Sequence, residues 1–509
     1  MNDGSRSATN DRRRPWSLHG RTTIELAAIG GLLLLVAVAG VSLIGHGIPL
    51  GWDESVYASR SRSLVTDIPA SVWKVYRPPA LPIIGLLGGA FGFLDSNLRA
   101  FSLVMSLLTL AAAWALTRAL WGWLAAVIAL LTIAGAPIVL DELVLFHTDL
   151  PAAGLLLALM LVLWHEFERR PEPTPLLLAA APIAAAALYL RYGTVVAIGG
   201  IGLAAVLLWH RSMLRHRRLT GATIAFVAVL LAPHVVEAMV RTGSPIGIVT
   251  AASDQVNTAG PLETAARYVG WLPAQLAHRL GFVVMIAGAV YGALTALDAI
   301  RSRRMTGAAR RYVFLYVPAG VTTLGLVLLS HPEPRYVMVP VLLAIIAGAA
   351  AVSALVRWLG TLSALVRRER AADAAVIGGV VLAAVVVLLV GLRRVDSLER
   401  DGERSRWWAH AGAAIRADAN GPCTAVTTLA PIIGWYSGCE AVQFVNGGPE
   451  TVADGRTTHP TYVVFTDLDE ERATADTIET YRSLVEGRSA ATITVPGAPP
   501  AVNVYRVAP

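Results

Sequence analysis

A single lysine, Lys74, and two cysteines, Cys423 and Cys439, are all that 509 residues hold of those two types, and only 15% of the chain is charged. A soluble domain carries roughly a quarter charged residues, so this deficit excludes an ordinary soluble globule. Glycine-rich phosphate loops of the G-x-G-x-x-G or G-x-x-x-x-G-K-[ST] kind are missing. So are His/Cys sets at metal-ligand spacing and a serine nucleophile elbow. Chemistry driven by ATP or by a nucleotide-linked sugar therefore has no visible binding motif. A secondary transporter would show matched halves and charges at mid-span; no internal repeat is found here, and the charges lie at span ends.

What the chain does have is hydrophobic residues, 55% of the total, and a mean hydropathy of +0.58. Apolar runs of about 20 residues, each enough to cross roughly 30 Å of hydrocarbon, recur over 23–45, 98–117, 121–140, 148–165, 174–190, 193–210, 219–240, 280–299, 311–330, 336–356 and 372–392. The segment "PALPIIGLLGGAFGFL" (79–94) is short and rich in Gly and Pro, and reads as an interfacial or re-entrant helix. The fold class expected is a polytopic α-helical membrane protein of about 11 transmembrane helices, with a small extracytoplasmic α/β domain at the C-terminus. A basic cytoplasmic segment occupies 1–22, a transmembrane domain 23–393 (its first outer loop 46–97), and the α/β domain 394–509.

Basic residues in short loops set orientation. "DRRR" (11–14), "ERR" (168–170), "HRSMLRHRR" (210–218), "RSRRMTGAARR" (301–311) and "RWLGTLSALVRRER" (357–370) all fall on one side if the spans number eleven. That side is the cytoplasm, which places the protein in the plasma (inner) membrane with its N-terminus inside and its tail outside. The basic clusters, and the pI near 9.6, follow from this asymmetry and call for no nucleic-acid partner. The first span reads as a retained anchor rather than a removed signal.

The unusual polar residues gather on the opposite, outer side. They are Asp53 and Glu54, Lys74 and Arg77, Asp141, Glu142, His147 and Asp149 in "DELVLFHTD", Arg191 and Tyr192, and His331, Glu333, Arg335 and Tyr336 in "HPEPRY". Ionisable groups at membrane depth are costly and mark a pathway or a site. A carboxylate there can act as general base toward a hydroxyl, and Lys or Arg can bind a phosphate and take up its charge as it departs. Lys74, alone of its kind, hints at a point-charge contact; chance explains it equally well. An Asp/Glu pair facing a phosphate also admits a divalent cation, Mg²⁺ or Mn²⁺.

The acidic pair Asp53–Glu54 followed by "YRPPALP" (76–82), the acid opening "TDLPAAGLLLALMLVLW" (148–164), "LYLRYG" ending a span and "HPEPRY" opening another resemble the GT-C glycosyltransferases. The branch they are most similar to contains protein O-mannosyltransferases and aminoarabinose transferases, over roughly residues 23 to 356. The resemblance implies an enzyme that takes a sugar from a polyprenyl-phosphate carrier and attaches it to a protein, lipid or glycan on the outer face. It implies Asp53 as the catalytic acid that deprotonates or orients the acceptor, Glu54 as its partner, and Asp149 as the acid of the second outer loop. Lys74, Arg77 and Arg335 are the implied phosphate ligands, with His331 and Tyr336 beside them. Where relatives often carry Arg near the second acid this chain has "FHTD", so His147 either replaces that group or caps a helix. "HPEPRY" also admits a plainer reading, with Pro332 and Pro334 rigidifying a turn and Glu333 and Arg335 forming a local ion pair, but a functional role is the favoured one. A non-catalytic transporter, or a flippase or assembly subunit, is the alternative.

Beyond residue 393, "CTAVTTL", "TYVVFTDL", "ATITV" and "VNVYRVA" read as strands, and 403–418 and 470–486 as helices. "DLDEER" (467–472) reads as the acidic first turn of the second helix rather than a metal site. An oxidising outer compartment favours a Cys423–Cys439 bridge.

Overall fold

The computed structural model describes residues 17–70, 72–74, 76–254, 260–329, 332–364, 406–443, 460–466, 485, 490–495 and 502–507. The expected span 372–392 and His331 lie outside these residues, as does the helix 470–486 apart from residue 485. Among those described, eight helices are long and apolar enough to cross a membrane: 25–45, 95–121, 149–169, 194–215, 217–242, 278–302, 307–328 and 334–358. The chain is a multi-pass membrane protein. Two further expected spans are shorter apolar helices, 123–134 and 175–190, so the count of eleven does not follow from helix length alone.

Among the described residues up to 364 there are fifteen α-helices: α1 (Ser17–Gly45), α2 (Trp52–Ser63), α3 (Ala80–Gly89), α4 (Asp95–Trp121), α5 (Trp123–Ala134), α6 (Pro137–Glu142), α7 (Asp149–Trp164), α8 (Ala180–Leu190), α9 (Thr194–Arg215), α10 (Arg217–Thr242), α11 (Gly247–Asp254), α12 (Pro261–Trp271), α13 (His278–Ser302), α14 (Gly307–Leu329) and α15 (Met338–Ala364). The stretch 46–97 thus holds two helices, α2 and α3, and α3 is the short helix expected near 79–94. The basic cluster 210–218 is likewise not a loop, because it straddles the end of α9 and the start of α10. Between α4 and α5 a single glycine, Gly122, turns the chain at φ +89°, a conformation open to glycine because it has no Cβ.

Buried Leu, Ile and Ala from α4, α5, α7, α9, α14 and α15 form the main core. Below α7 a wide π turn (His165–Arg169) carries Glu168, which accepts bonds from Trp209 Nε1 at 2.8 Å and Arg310 Nη2 at 2.7 Å. That ties α7, α9 and α14 together at the end opposite Asp53.

The C-terminal region holds α16, described over 406–419, and α17 (Ala430–Ser437). Its five-stranded sheet has the order β2-β1-β3-β5-β4, with β1 (Thr424–Thr427), β2 (Glu440–Gln443), β3 (Thr461–Thr466), β4 (Ala490–Ile493) and β5 (Val502–Val507). β1 runs parallel to β2 and β3, and β5 antiparallel to β3 and β4. Sequence alternation located four of these strands and missed β2, whose four residues are too few to show a period. A disulfide joins Cys423 to Cys439 and closes the turn of chain that contains β1 and α17.

Helices α13 and α15 cross at two glycines. A Cβ on Gly348 would lie 2.1 Å from the Val284 carbonyl oxygen, and one on Gly288 2.6 Å from the Gly348 nitrogen. Gly348→Ala is expected to force the helices apart and destabilise the protein by roughly 1–3 kcal/mol, read as a lower melting temperature in detergent. Gly199→Ala, where the new methyl would meet nothing within 4 Å, should leave it unchanged or raised. Equal effects of the two would refute a tight crossing.

Candidate active site

Helix α2 begins at Trp52, so its first turn presents both acids, yet they part company. Glu54 turns inward and is 1% exposed. Its carboxylate accepts from Arg99 Nη2 at 2.8 Å and Nε at 3.1 Å, from Gly51 N–H at 2.8 Å and from Phe146 N–H at 2.9 Å. Burial raises its pKa, but Arg99 outweighs burial and holds the carboxyl below its ordinary range. Arg99 is 3% exposed, and also donates to the carbonyls of Ile48 and Pro49. Glu54 therefore joins α2 to α4 and to the chain before α7, and its side chain does not reach the cavity. Among the described residues no three His, Cys, Asp or Glu side chains gather as a metal site.

Asp53 faces a cavity of about 570 Å³. Arg77 Nη1 donates to its Oδ1 at 3.0 Å and Arg335 Nη2 to its Oδ2 at 2.7 Å. Burial pushes the Asp53 pKa up; Arg335 and Arg77 overcome that and hold it well below the usual carboxylate range. Arg335 also donates through Nε to Glu333 at 2.7 Å, so the local pair foreseen in "HPEPRY" and the contact with Asp53 coexist. Arg191 pairs with Asp149 and lies 4.5 Å from the ring centre of Tyr336. His147 Nδ1 sits 3.0 Å from Glu142 Oε2. Burial opposes protonation of this imidazole, but Glu142 wins and the pKa is pushed up to about 9.

The cavity thus brings together Asp53, Arg77, His147, Asp149, Arg191, Tyr192, Glu333, Arg335 and Tyr336, supplied by segments that lie far apart in the sequence. Glu142 stands behind His147, and Asp141 is half-buried at the end of α6 and outside the cavity lining. Lys74 is exposed and also outside the lining, so the point charge that its rarity suggested is not delivered to the site. Away from the charged groups the wall is apolar, with Val195, Val196 and Ala197 of α9, Leu326 of α14, and Met338 and Val339 of α15. Sequence reasoning missed Arg99, although an arginine inside an apolar run was the available signal. Tyr57 and Tyr76, which also line the cavity, gave none.

This architecture can be set beside known proteins. ArnT from Cupriavidus metallidurans bound to undecaprenyl phosphate superposes with a TM-score of 0.67 at 15% identity, over 96% of this chain and 98% of that one. The fold is that of the GT-C glycosyltransferases. ArnT from the same organism in the apo state gives 0.65 at 16% identity, over 94% and 98% of the two chains. The archaeal oligosaccharyltransferase AglB from Archaeoglobus fulgidus, in complex with an inhibitory peptide and a dolichol-phosphate, gives 0.55 at 11%, over 96% of this chain and 76% of that one. Residues 77–236 match the family model of dolichyl-phosphate-mannose-protein mannosyltransferases. That stretch contains Arg77, His147, Asp149 and Arg191 and excludes Asp53 and Arg335. No curated protein matches the sequence. The GT-C likeness read from short motifs therefore holds across the whole fold, and the ArnT superposition includes the C-terminal region.

The His147–Glu142 pair gives this site a pH signature. Its folded pKa of about 9 lies above the ordinary 6.5, so the pair stabilises fully below pH 6.5 and loses that contribution as pH rises through about 9. Melting temperature in detergent should fall across this window. Glu142→Gln, which removes the partner, should flatten the fall; an undiminished slope in that variant would assign it to other groups.

Proposed function

We propose that this chain is a membrane glycosyltransferase that moves a hexose or pentose from a polyprenyl-phosphate carrier to an acceptor hydroxyl on a protein, lipid or polysaccharide. The observation that carries the reading is Asp53 shared between Arg77 and Arg335 at the charged end of a cavity whose other walls are apolar. An amphiphile with an anionic head and a hydrocarbon tail matches that division. ArnT bound to undecaprenyl phosphate and AglB with a dolichol-phosphate support the same class of ligand.

In the proposed step the acceptor oxygen attacks the anomeric carbon from the side opposite the phosphate and gives its proton to Asp53. The carbon–oxygen bond to phosphate breaks, its electron pair stays on the phosphate oxygen, and the configuration inverts. A carboxylate held as low as Asp53 is a weak base while both guanidinium groups grip it. The donor's phosphodiester carries one negative charge and competes for those groups, which loosens the carboxylate. As transfer proceeds, Asp53 loses its charge to the proton and the phosphate gains one. Two arginines face two negative charges before and after the step, so charge moves between acids that the same cations already hold. Preorganised cations of this kind stabilise developing charge without rearrangement. Arg191, paired with Asp149 behind Tyr336, keeps the second acid from adding an uncompensated charge to the cavity.

The orientation proposed, from the loop asymmetry, puts this cavity and the sheet domain outside the plasma membrane and the 210–218 cluster inside. In intact cells an impermeant maleimide should label Thr66→Cys and spare Leu214→Cys; the reverse pattern would invert the topology.

Positioned general-base catalysis is worth about 10²–10⁴ in rate, so Asp53→Asn should lower turnover by at least about 10². The same change frees two arginines from their carboxylate, so binding of polyprenyl phosphate should tighten. Arg335→Gln should weaken binding and turnover together. The measurement is transfer of labelled sugar from a synthetic polyprenyl phosphate in nanodiscs, with carrier binding by calorimetry. Near-wild-type turnover by Asp53→Asn removes it as the base and, if Asp149→Asn is equally active, removes the transferase reading.

A further inference from the structure

Among the described residues the C-terminal region has no group lining the cavity, yet its helix α17 lies directly on α2, the helix that carries Asp53. The contact is polar and specific. Leu50 N–H, three residues ahead of Asp53, donates to the Tyr436 hydroxyl at 2.8 Å. That hydroxyl donates in turn to Asp95 Oδ2, and Trp435 Nε1 donates to Asp95 Oδ1 at 2.8 Å. At the other end of α2, Arg62 donates from Nη1 to the Trp435 carbonyl at 2.8 Å and from Nη2 to the Gly434 carbonyl at 3.0 Å. Its guanidinium sits 4.5 Å from the Trp435 ring centre.

Arg62 is 6% exposed and is answered here by the last carbonyls of α17. A helix C-terminus favours a cation beside its last carbonyls, and the Gly434 carbonyl accepts from the Gly438 N–H as well. One eight-residue helix (Ala430–Ser437) therefore holds both the chain just ahead of α2 and the last turn of α2. It also grips the first residue of α4, the helix whose Arg99 holds Glu54. The Cys423–Cys439 bond fastens the far end of α17 to the chain entering β1. An isolated twelve-residue helix has little stability of its own, so the position of α2 is set by what it is bonded to.

We propose that Tyr436, with Trp435 and Arg62, forms a positioning device for the transfer step. The sheet domain acts as a splint that fixes where α2 presents Asp53 in the cavity. This rests on the assignment of Asp53 as the base. Small displacements of a reacting group cost up to about 10² in rate, and so a contact outside the cavity has leverage on turnover.

Tyr436→Phe removes one hydroxyl, and with it the bonds to Leu50 and Asp95, while keeping the ring. Transfer turnover in nanodiscs is expected to fall about 10-fold, with the KM for the polyprenyl-phosphate sugar changed less than about 2-fold. The deciding readout is a double-mutant cycle with Asp53→Asn. If Tyr436 acts through Asp53, adding Tyr436→Phe to Asp53→Asn costs less than about 2-fold. If it only stabilises the fold, the same loss appears in both backgrounds and the proposal fails. Trp435→Phe, which deletes the other bond to Asp95, gives a second cycle with the same expectation should Tyr436→Phe fold poorly. Wild-type turnover by Asp53→Asn alone would overturn the base assignment and the splint with it. A normal Asp53→Asn loss with additive Tyr436→Phe and Trp435→Phe losses would overturn the splint and leave the transferase reading standing.

Discussion

The buried ion pair between Glu54 and Arg99 is the contact on which the rest of the charged region depends. Two charges taken out of water cost several kcal/mol each, and attraction alone seldom recovers that. Here the carboxylate receives four donors, two of them backbone N–H groups, and the guanidinium reaches two further carbonyls. A pair so fully satisfied acts as a rivet: it joins the start of α2, the first turns of α4 and the segment leading to α7. Those are the pieces that place Asp53, His147 and Asp149 around one space. The neighbouring acids of the first turn thereby divide their labour, one spent on structure and the other left facing the cavity.

The same constraint explains why the cavity tolerates so much charge close to lipid. Asp53 is matched by Arg77 and Arg335, Asp149 by Arg191, Glu333 by Arg335 and Glu142 by His147. Arg335 is shared by two acids, and His147 is charged at neutral pH because Glu142 stands behind it. A network of this kind is close to neutral as a whole while each member is held by a partner that an incoming anion could take over. An anion that enters exchanges one partner for another, and pays little for bare desolvation of a cation.

Much of this was legible from sequence, for a physical reason. Hydropathy measures the transfer of a segment into hydrocarbon, a property of the segment alone, so the long helices and the order of their polar ends could be read directly. The convergence of Asp53, Arg77, Asp149, Arg191 and Arg335 followed from sidedness, which also needs no tertiary contacts. What failed was whatever depends on a partner. Nothing local says that Glu54 turns inward and Asp53 outward, because the cause is Arg99, 45 residues away. Lys74 stood out by rarity, a statement about composition that carries no direction for a side chain; in the structure that lysine is exposed. Helix 123–134 was read as a full span because apolar residues continue past its end, where Pro137 begins α6; in 174–190 the apolar run and the helix coincide, and both are simply short.

The sidedness of the charged groups finally bears on the kind of ligand the fold can serve. A solute carried across the bilayer needs its polar contacts near mid-depth, reachable from both faces in turn. Here the ionisable groups sit at helix ends, Asp53 and Asp149 in first turns and Arg191 just past the end of α8. From them the cavity wall passes to Val195, Val196, Leu326 and Val339 on helices long enough to cross hydrocarbon. Polar at one end and apolar along α9 and α14, it suits a molecule that stays in the membrane by its tail while its head is handled at the surface. Such a ligand needs no route through the protein, only a place where its head meets fixed charges and a second reactant arriving from water. The α17 helix of the C-terminal region is bonded to the chain just ahead of Asp53 and to the last turn of α2, so the helix that carries this acid is tied to a piece of chain outside the cavity.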